Sequence, residues 1–183
     1  SSNGLLTYNE FLKLKAAGVS RYHNNLETSR RYFPQICTTH TYDEKIASIQ
    51  DAQRAGLFVC SGGIMGLGEN MEDRIDMALE LRRLGIKSTP INFITPIAGT
   101  PFEKKVLISP KEARRITAVF RFIMPDSAIR IAGGRRQMCD AGRKLFLSGA
   151  NAAITGDMLT TSGNMADEDI KMISKLGFKA ELI

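Results

Sequence analysis

A chain of 183 residues, 43% hydrophobic and 24% charged, is long enough for one domain with its own core and too ordinary in composition for a disordered or collagenous protein. No apolar run approaches the ~20 residues of a membrane span, and Ser1-Ser2-Asn3-Gly4 is no basic-then-apolar leader, so the expectation is a cytoplasmic protein without a membrane partner. The net charge is +6, but its basic pairs, among them Arg30-Arg31, Arg82-Arg83 and Lys104-Lys105, are dispersed among acidic residues and argue for solvated faces and against nucleic acid. From the N-terminus, Thr7 with Glu10 three residues on predicts a capped helix to Ala17, stopped by Gly18. A strand follows over Val19–His23, then an irregular loop from Asn24 to Thr41. Tyr42–Ala55 reads as a helix stopped by Gly56, Leu57–Ser61 as a strand, and Cys60–Glu69 as a glycine-rich turn. Met71–Leu84 is amphipathic and stopped by Gly85. Ser88–Ile94 is a strand. Pro110 opens a helix to about Met124, as proline does in a first turn. Ala128–Ala132 is a strand, Gln137–Ser148 a helix, Asn151–Thr155 a strand and Asp167–Leu176 the last helix.

Helices alternating with strands at this spacing predict right-handed βαβ units and a parallel sheet. The fold class is therefore α/β, a TIM-type (β/α) barrel of which the chain supplies the last five or so units, since a whole barrel needs eight strands. The expected organisation is one partial barrel domain over residues 1–183.

In such a barrel, chemistry belongs to the carboxyl ends of the strands. Those positions hold His23, Asn24, Asn25 and Glu27; Cys60 with its glycines; Asn92 and Thr95; Arg130, Gly133, Gly134 and Arg135; and Asn151, Thr155, Asp157, Thr160 and Thr161. Arg130 stands in an apolar strand and needs an anionic partner or ligand. Asn92 likewise needs a polar partner. Bland readings stand beside these: Cys60 as a small packed hydrophobe, Asn25 and Glu27 as an asparagine turn with a cap, Arg130 as half of an ion pair, His23 as a core histidine, and Glu69 as a first-turn helix charge. The three cysteines, Cys37, Cys60 and Cys139, are odd in number and widely spaced, which argues against a disulfide framework. No CxxC or CxxxCxxC occurs.

Taken together, Tyr22-His23-Asn24-Asn25-Leu26-Glu27-Thr28-Ser29, Cys60-Ser61-Gly62-Gly63-Ile64-Met65-Gly66-Leu67-Gly68-Glu69, Pro90-Ile91-Asn92, Gly99-Thr100-Pro101, Ile129-Arg130-Ile131-Ala132-Gly133-Gly134-Arg135, Gly149-Ala150-Asn151 and Leu159-Thr160-Thr161 closely resemble the biotin synthase family along the whole chain, with a C-terminal family-type region from about residue 88 to 183. The resemblance implies a radical S-adenosylmethionine enzyme that inserts sulfur into dethiobiotin. In that family a [4Fe–4S] cluster cleaves S-adenosylmethionine, and an auxiliary iron–sulfur cluster ([2Fe–2S] or a variant) donates the sulfur. By resemblance, Cys60 and Arg130 are auxiliary-cluster ligands. Asn25 and Glu27 match positions that hold the ribose of S-adenosylmethionine, Ile64 lies near adenine, and Lys45 stands where an arginine takes the methionyl carboxylate. Asn25 and Asn92 match positions that hold dethiobiotin. An electron-donor protein such as flavodoxin and a homodimer are implied for the full-length form. The CxxxCxxC segment and two further auxiliary-cluster cysteines are expected upstream of residue 1, so the chain alone is expected to be inactive.

Cys37 has no counterpart ligand in the best-known members and is either an added ligand or a loop thiol; Cys139 is read as structural, at a helix start. The competing readings are a relative in the same superfamily, from hydrogenase maturation or the pyrrolysine pathway, and a non-catalytic half-barrel that binds a ligand or completes a partner chain.

Overall fold

Every strand pairing in this computed structural model, which describes residues 4–156 and 163–181, is parallel. In chain order the elements are α1 (Tyr8–Ala16), β1 (Arg21–His23), α2 (Tyr42–Arg54), β2 (Phe58–Cys60), β3 (Gly63–Met65), α3 (Met71–Arg83), β4 (Ser88–Phe93), α4 (Pro110–Ile123), β5 (Ala128–Ile131), α5 (Arg143–Phe146), β6 (Ala152–Ala153) and α6 (Ala166–Lys175). The sheet runs β1-β2-β4-β5-β6, with β3 also against β4. This is the curved sheet of an incomplete barrel, as expected.

The helices begin where side chains satisfy their free N–H groups. Thr41 and Asn70 each accept a backbone N–H at the third helical position of α2 and α3, and Ser109 does the same for α4 ahead of Pro110. Strand side chains alternate between two environments. Tyr22 packs edge-on against Phe11 of α1 at 4.7 Å, and Val59, Ile91, Ile129 and Ile131 are buried beneath the helices. Their neighbours face the other way, into the barrel, where Arg21 lies over the Phe58 ring at 4.9 Å. The helix-side layer carries the core: Phe11, Tyr22, Leu26, Ile49, Met77, Leu81, Ile116 and Phe120 are each at most 1% exposed, and burial of each such side chain contributes roughly 1.5–3 kcal/mol.

Two departures from the sequence expectation shape the site. The glycine-rich stretch is not all turn, because Gly63–Met65 forms β3. Cys60 pairs with Ser88 and Gly63 with Ile91, both 28 residues on, so β2 and β3 are one strand interrupted at Ser61-Gly62. On its other side His23 pairs with Cys60, 37 residues on, but Glu27 bridges Gly63, only 36 on. One extra residue is therefore held between His23 and Glu27, a bulge of the kind that re-aims side chains beside active sites.

The second departure is the expected Gln137–Ser148 helix, which forms only a 3₁₀ turn at Arg135–Gln137 and the short α5. Ala141 and Gly142 between them have φ of 50° and 79°, outside the helical range. Cys139 is thus exposed in a connector and not at a helix start. Among the described residues no helix is long and apolar enough to cross a membrane.

Candidate functional site

Register places a row of polar side chains across the barrel interior. His23, Cys60, Ser88 and Ala128 are successive partners on β1, β2, β4 and β5, and Arg130 lies two residues beyond Ala128 on the same face. The Ser88 hydroxyl donates to Cys60 Sγ at 3.3 Å and accepts from Arg130 Nη2 at 3.2 Å. Thiol and guanidinium are thus joined through one hydroxyl. Cys60 is free and half-buried, and Arg130 Nε is buried with no hydrogen-bond partner. The alternative reading of Arg130 as half of an ion pair finds no acidic partner among the described residues, so an N–H that burial should oblige to bond is left unmatched.

Toward the strands' carboxyl ends the bulge positions a second group. Asn25 Oδ1 accepts the Gly62 N–H at 3.1 Å, which pins the bulge to the interruption in the neighbouring strand. Glu27 follows with φ of 71°, a conformation costing a non-glycine residue about 1–2 kcal/mol. Its Oε2 is buried and unpartnered. Burial pushes the Glu27 carboxyl above its ordinary range, against the Lys45 ammonium and the Asn25 side chain. Lys45 is buried, donates to Asn24 Oδ1 at 2.8 Å and lies 5.9 Å from the Phe33 ring centre. Burial lowers its pKa, and the Glu27 charge opposes this. His23, Asn25, Glu27, His40 and Lys45 line one cleft of about 390 Å³. Burial also holds the His23 imidazole below its ordinary pKa, reinforced by Lys45.

Ile64 and Asn92 are register partners on β3 and β4, both half-buried on the barrel face. The Asn92 amide donates to Gly63 O at 3.3 Å and accepts from the Gly133 N–H at 3.0 Å, which links β3 to the loop after β5 and leaves donor and acceptor capacity free. The turn after β3 is held from beneath by Glu69. Its carboxylate accepts the N–H groups of Gly66 at 2.8 Å and Gly68 at 3.0 Å and the Arg74 Nε–H at 2.8 Å; Arg74 also reaches Glu112 at 2.8 Å. Glu69 is therefore no simple first-turn charge; it is buried and fixes the turn that follows β3.

The structure thus gathers Asn25, Glu27 and Lys45 around the cleft, joins Cys60 with Arg130 through Ser88, and sets Ile64 beside Asn92. Asp157, Thr160 and Thr161 lie outside the described residues. Sequence reasoning missed Ser88, although its period-two spacing from Pro90 and Asn92 marks it as inward-facing. It also missed that Asn24 carries Lys45: the Asn24 amide donates to the Tyr22 hydroxyl at 2.7 Å, which in turn meets Ser48 at 2.9 Å. Among the described residues no three His, Cys, Asp or Glu side chains converge to hold a metal ion.

Comparison with known proteins bears on this arrangement. Residues 1–81 match the Radical SAM superfamily, and residues 90–179 match the Biotin and Thiamin Synthesis associated domain. The chain is 59% identical to the biotin synthase of Akkermansia muciniphila over 182 residues, all of this chain and 57% of that protein, and 59% identical to that of Brachyspira hyodysenteriae, covering 55% of it. The chain thus spans little more than half the length of these relatives. Among solved structures it is similar to methylornithine synthase (TM-score 0.78, 18% identity, 98% of this chain and 57% of that one) and to an FeFe-hydrogenase maturase from Carboxydothermus hydrogenoformans (TM-score 0.74, 15% identity, 97% and 46%). At these identities the two structures speak for the fold alone.

Proposed function

The chain belongs to the biotin synthase family of the radical S-adenosylmethionine superfamily, and from that premise we propose that the full-length protein inserts sulfur into dethiobiotin to form biotin. The observation that carries the reading is the inward-facing polar set with its two unmatched buried atoms, Arg130 Nε and Glu27 Oε2. The residues fit the groups the family implies. A buried guanidinium N–H without an acceptor, beside a free thiol, suits an anionic, sulfide-rich cluster. A buried carboxylate oxygen without a donor suits a ribose hydroxyl.

In this assignment Glu27 and Asn25 take the ribose of S-adenosylmethionine, Lys45 its methionyl carboxylate, and Ile64 the adenine face. Asn25 and Asn92 hold dethiobiotin through their amides, whose remaining capacity matches a ureido ring. Cys60 and Arg130 hold the auxiliary iron–sulfur cluster, a [2Fe–2S] cluster or a variant of it, together with ligands beyond those described. When bound, these groups supply a 5′-deoxyadenosyl radical and the sulfur atom. The chain's own residues orient and shield. Ser88 fixes the thiol and the guanidinium relative to each other. The bulge aims Glu27, and the Glu69–Arg74 pair holds the turn after β3 rigid, so that a substrate in the cleft would be held in place and away from water. The proposal includes an electron-donor protein such as a flavodoxin, a homodimer, and a [4Fe–4S] cluster held by a CxxxCxxC segment that this sequence does not contain.

Binding of S-adenosylmethionine by the full-length protein tests the reading. Glu27→Gln should weaken it about tenfold, the worth of one charge-assisted hydrogen bond. Unchanged affinity would remove Glu27 from the site, and absence of binding by the parent protein would overturn the proposal.

A further inference from the structure

Among the described residues, Cys37 is a half-buried thiol that the assignment above leaves without work. It lies in the loop before α2, half-buried and free. Its Sγ is 3.5 Å from His40 Nδ1 and 3.7 Å from His40 Nε2, with Thr39 Oγ1 at 3.6 Å. His40 is itself held, 3.0 Å from the Thr39 hydroxyl and against the Phe33 ring, 5.7 Å between centres. Cys37 opens on a surface cleft of about 520 Å³ that includes His40. His40 also lines the neighbouring cleft with His23, Glu27 and Lys45, and into that cleft's wall is set the unpartnered Glu27 Oε2. The register partner of His23 is Cys60. His40 thus belongs to both the cleft of Cys37 and the cleft of His23, whose strand neighbour is Cys60.

We propose that Cys37 and His40 form a sulfur-accepting site at which Cys37 is converted to a persulfide by a persulfide donor, small or protein-borne. The inference rests on the sulfur-insertion reading, because a reaction that hands a sulfur atom to each product needs a reaction that restores one. The Cys37 thiolate attacks the outer sulfur of R–S–SH. A new S–S bond forms at Cys37, the S–S bond of the donor breaks, and its electron pair leaves with RS⁻. The transferred sulfur keeps its oxidation level, so no further oxidant or reductant is needed. His40, in contact with the sulfur, takes up the thiol proton and returns it to the leaving thiolate. The electrostatics agree: burial raises the thiol, but hydrogen bonds from Thr39 and from the Thr39 and His40 backbone, with the Lys45 charge, outweigh it and leave Cys37 below its ordinary value. A thiol so placed is the reactive kind.

The test is capture of a labelled sulfur atom from glutathione persulfide by the full-length protein, read by peptide mass spectrometry as one added sulfur. The exposed Cys139 is the internal reference. Cys37 should react about tenfold faster than Cys139 near neutral pH, Cys37→Ser should abolish its label, and His40→Gln should slow it several-fold while labelling of Cys139 is unchanged. Reaction at Cys37 no faster than at Cys139, or a rate indifferent to His40→Gln, would overturn the proposal and leave the biotin synthase reading standing, because the label is read independently of biotin.

Discussion

Glu27 shows at the residue scale how function is written against stability. It holds a left-handed conformation and a buried, half-satisfied carboxylate, both unfavourable to the fold alone. Glu27→Gly should therefore leave stability unchanged or raise it by up to about 1 kcal/mol while weakening S-adenosylmethionine binding at least about tenfold; a loss of stability in denaturant titration would make the carboxylate a structural group. The pH dependence has a definite sign. Because burial raises the Glu27 pKa, the folded protein keeps this proton to higher pH than the unfolded chain does. The associated stability is present below the ordinary carboxylate value of about 4.3 and is lost as pH rises through the folded value. Thermal scans of Glu27→Gln should accordingly lose less stability than the parent as pH rises from about 4 toward neutrality. An equal loss would place the carboxylate in a solvated setting. At Arg130 the unmatched Nε makes the same argument: Arg130→Met should be neutral or stabilising in the cluster-free protein yet lower iron retention, and equal iron retention would remove Arg130 from the ligand set.

At the scale of elements, the strand interrupted at Ser61-Gly62 and the turn behind it do the positioning. A Cβ at Gly62 would fall on the Pro90 carbonyl oxygen of the next strand, whereas one at Gly85 meets nothing within 4 Å and is only conformationally strained. Gly62→Ala should disrupt the sheet at the site and cost several kcal/mol, against about 1 kcal/mol for Gly85→Ala. Similar costs for the two would mean that β2 and β4 are not closely apposed. Glu69→Ala leaves the buried Arg74 with Glu112 alone and the Gly66 and Gly68 N–H groups without their acceptor, and should cost about 3 kcal/mol, whereas Arg30→Ala, which breaks an exposed pair with Asp43, should cost under about 1 kcal/mol. Most elements were legible because capping side chains and stop glycines announce helices locally. β3 was not, since Gly63-Ile64-Met65 becomes a strand only by pairing with β4, a contact between distant residues. The Gln137–Ser148 helix failed for the opposite reason: its apolar spacing is helical, but the chain turns left-handed at Ala141 and Gly142.

Across the whole molecule, the open barrel explains why its inward-facing residues are half-buried while the helix-side layer is closed. Cys60, Asn92 and Arg130 were legible as one set because the alternation of helices and strands puts successive strand ends at one rim. Ser88 was not singled out, and Asn24 was named only for its place at a strand end, because hydroxyls and amides near strands are common and only three-dimensional contact shows that one joins Cys60 to Arg130 and the other carries Lys45. The tie of α6 to the barrel, the buried Arg135–Asp169 pair joined by the Asn164 amide, was equally invisible, its partners being 34 residues apart.

The central claim is that the inward row built on Cys60 serves sulfur insertion. The measurement that tests it most directly is anaerobic turnover of the full-length, iron- and sulfide-reconstituted protein with dethiobiotin, S-adenosylmethionine and a reductant, comparing parent and Cys60→Ala and quantifying biotin and 5′-deoxyadenosine. The account predicts biotin from the parent, and from Cys60→Ala no biotin but continued 5′-deoxyadenosine, because the thiol serves the sulfur donor and not the radical source. Biotin formed equally by Cys60→Ala, or 5′-deoxyadenosine from the parent with no biotin, would contradict it.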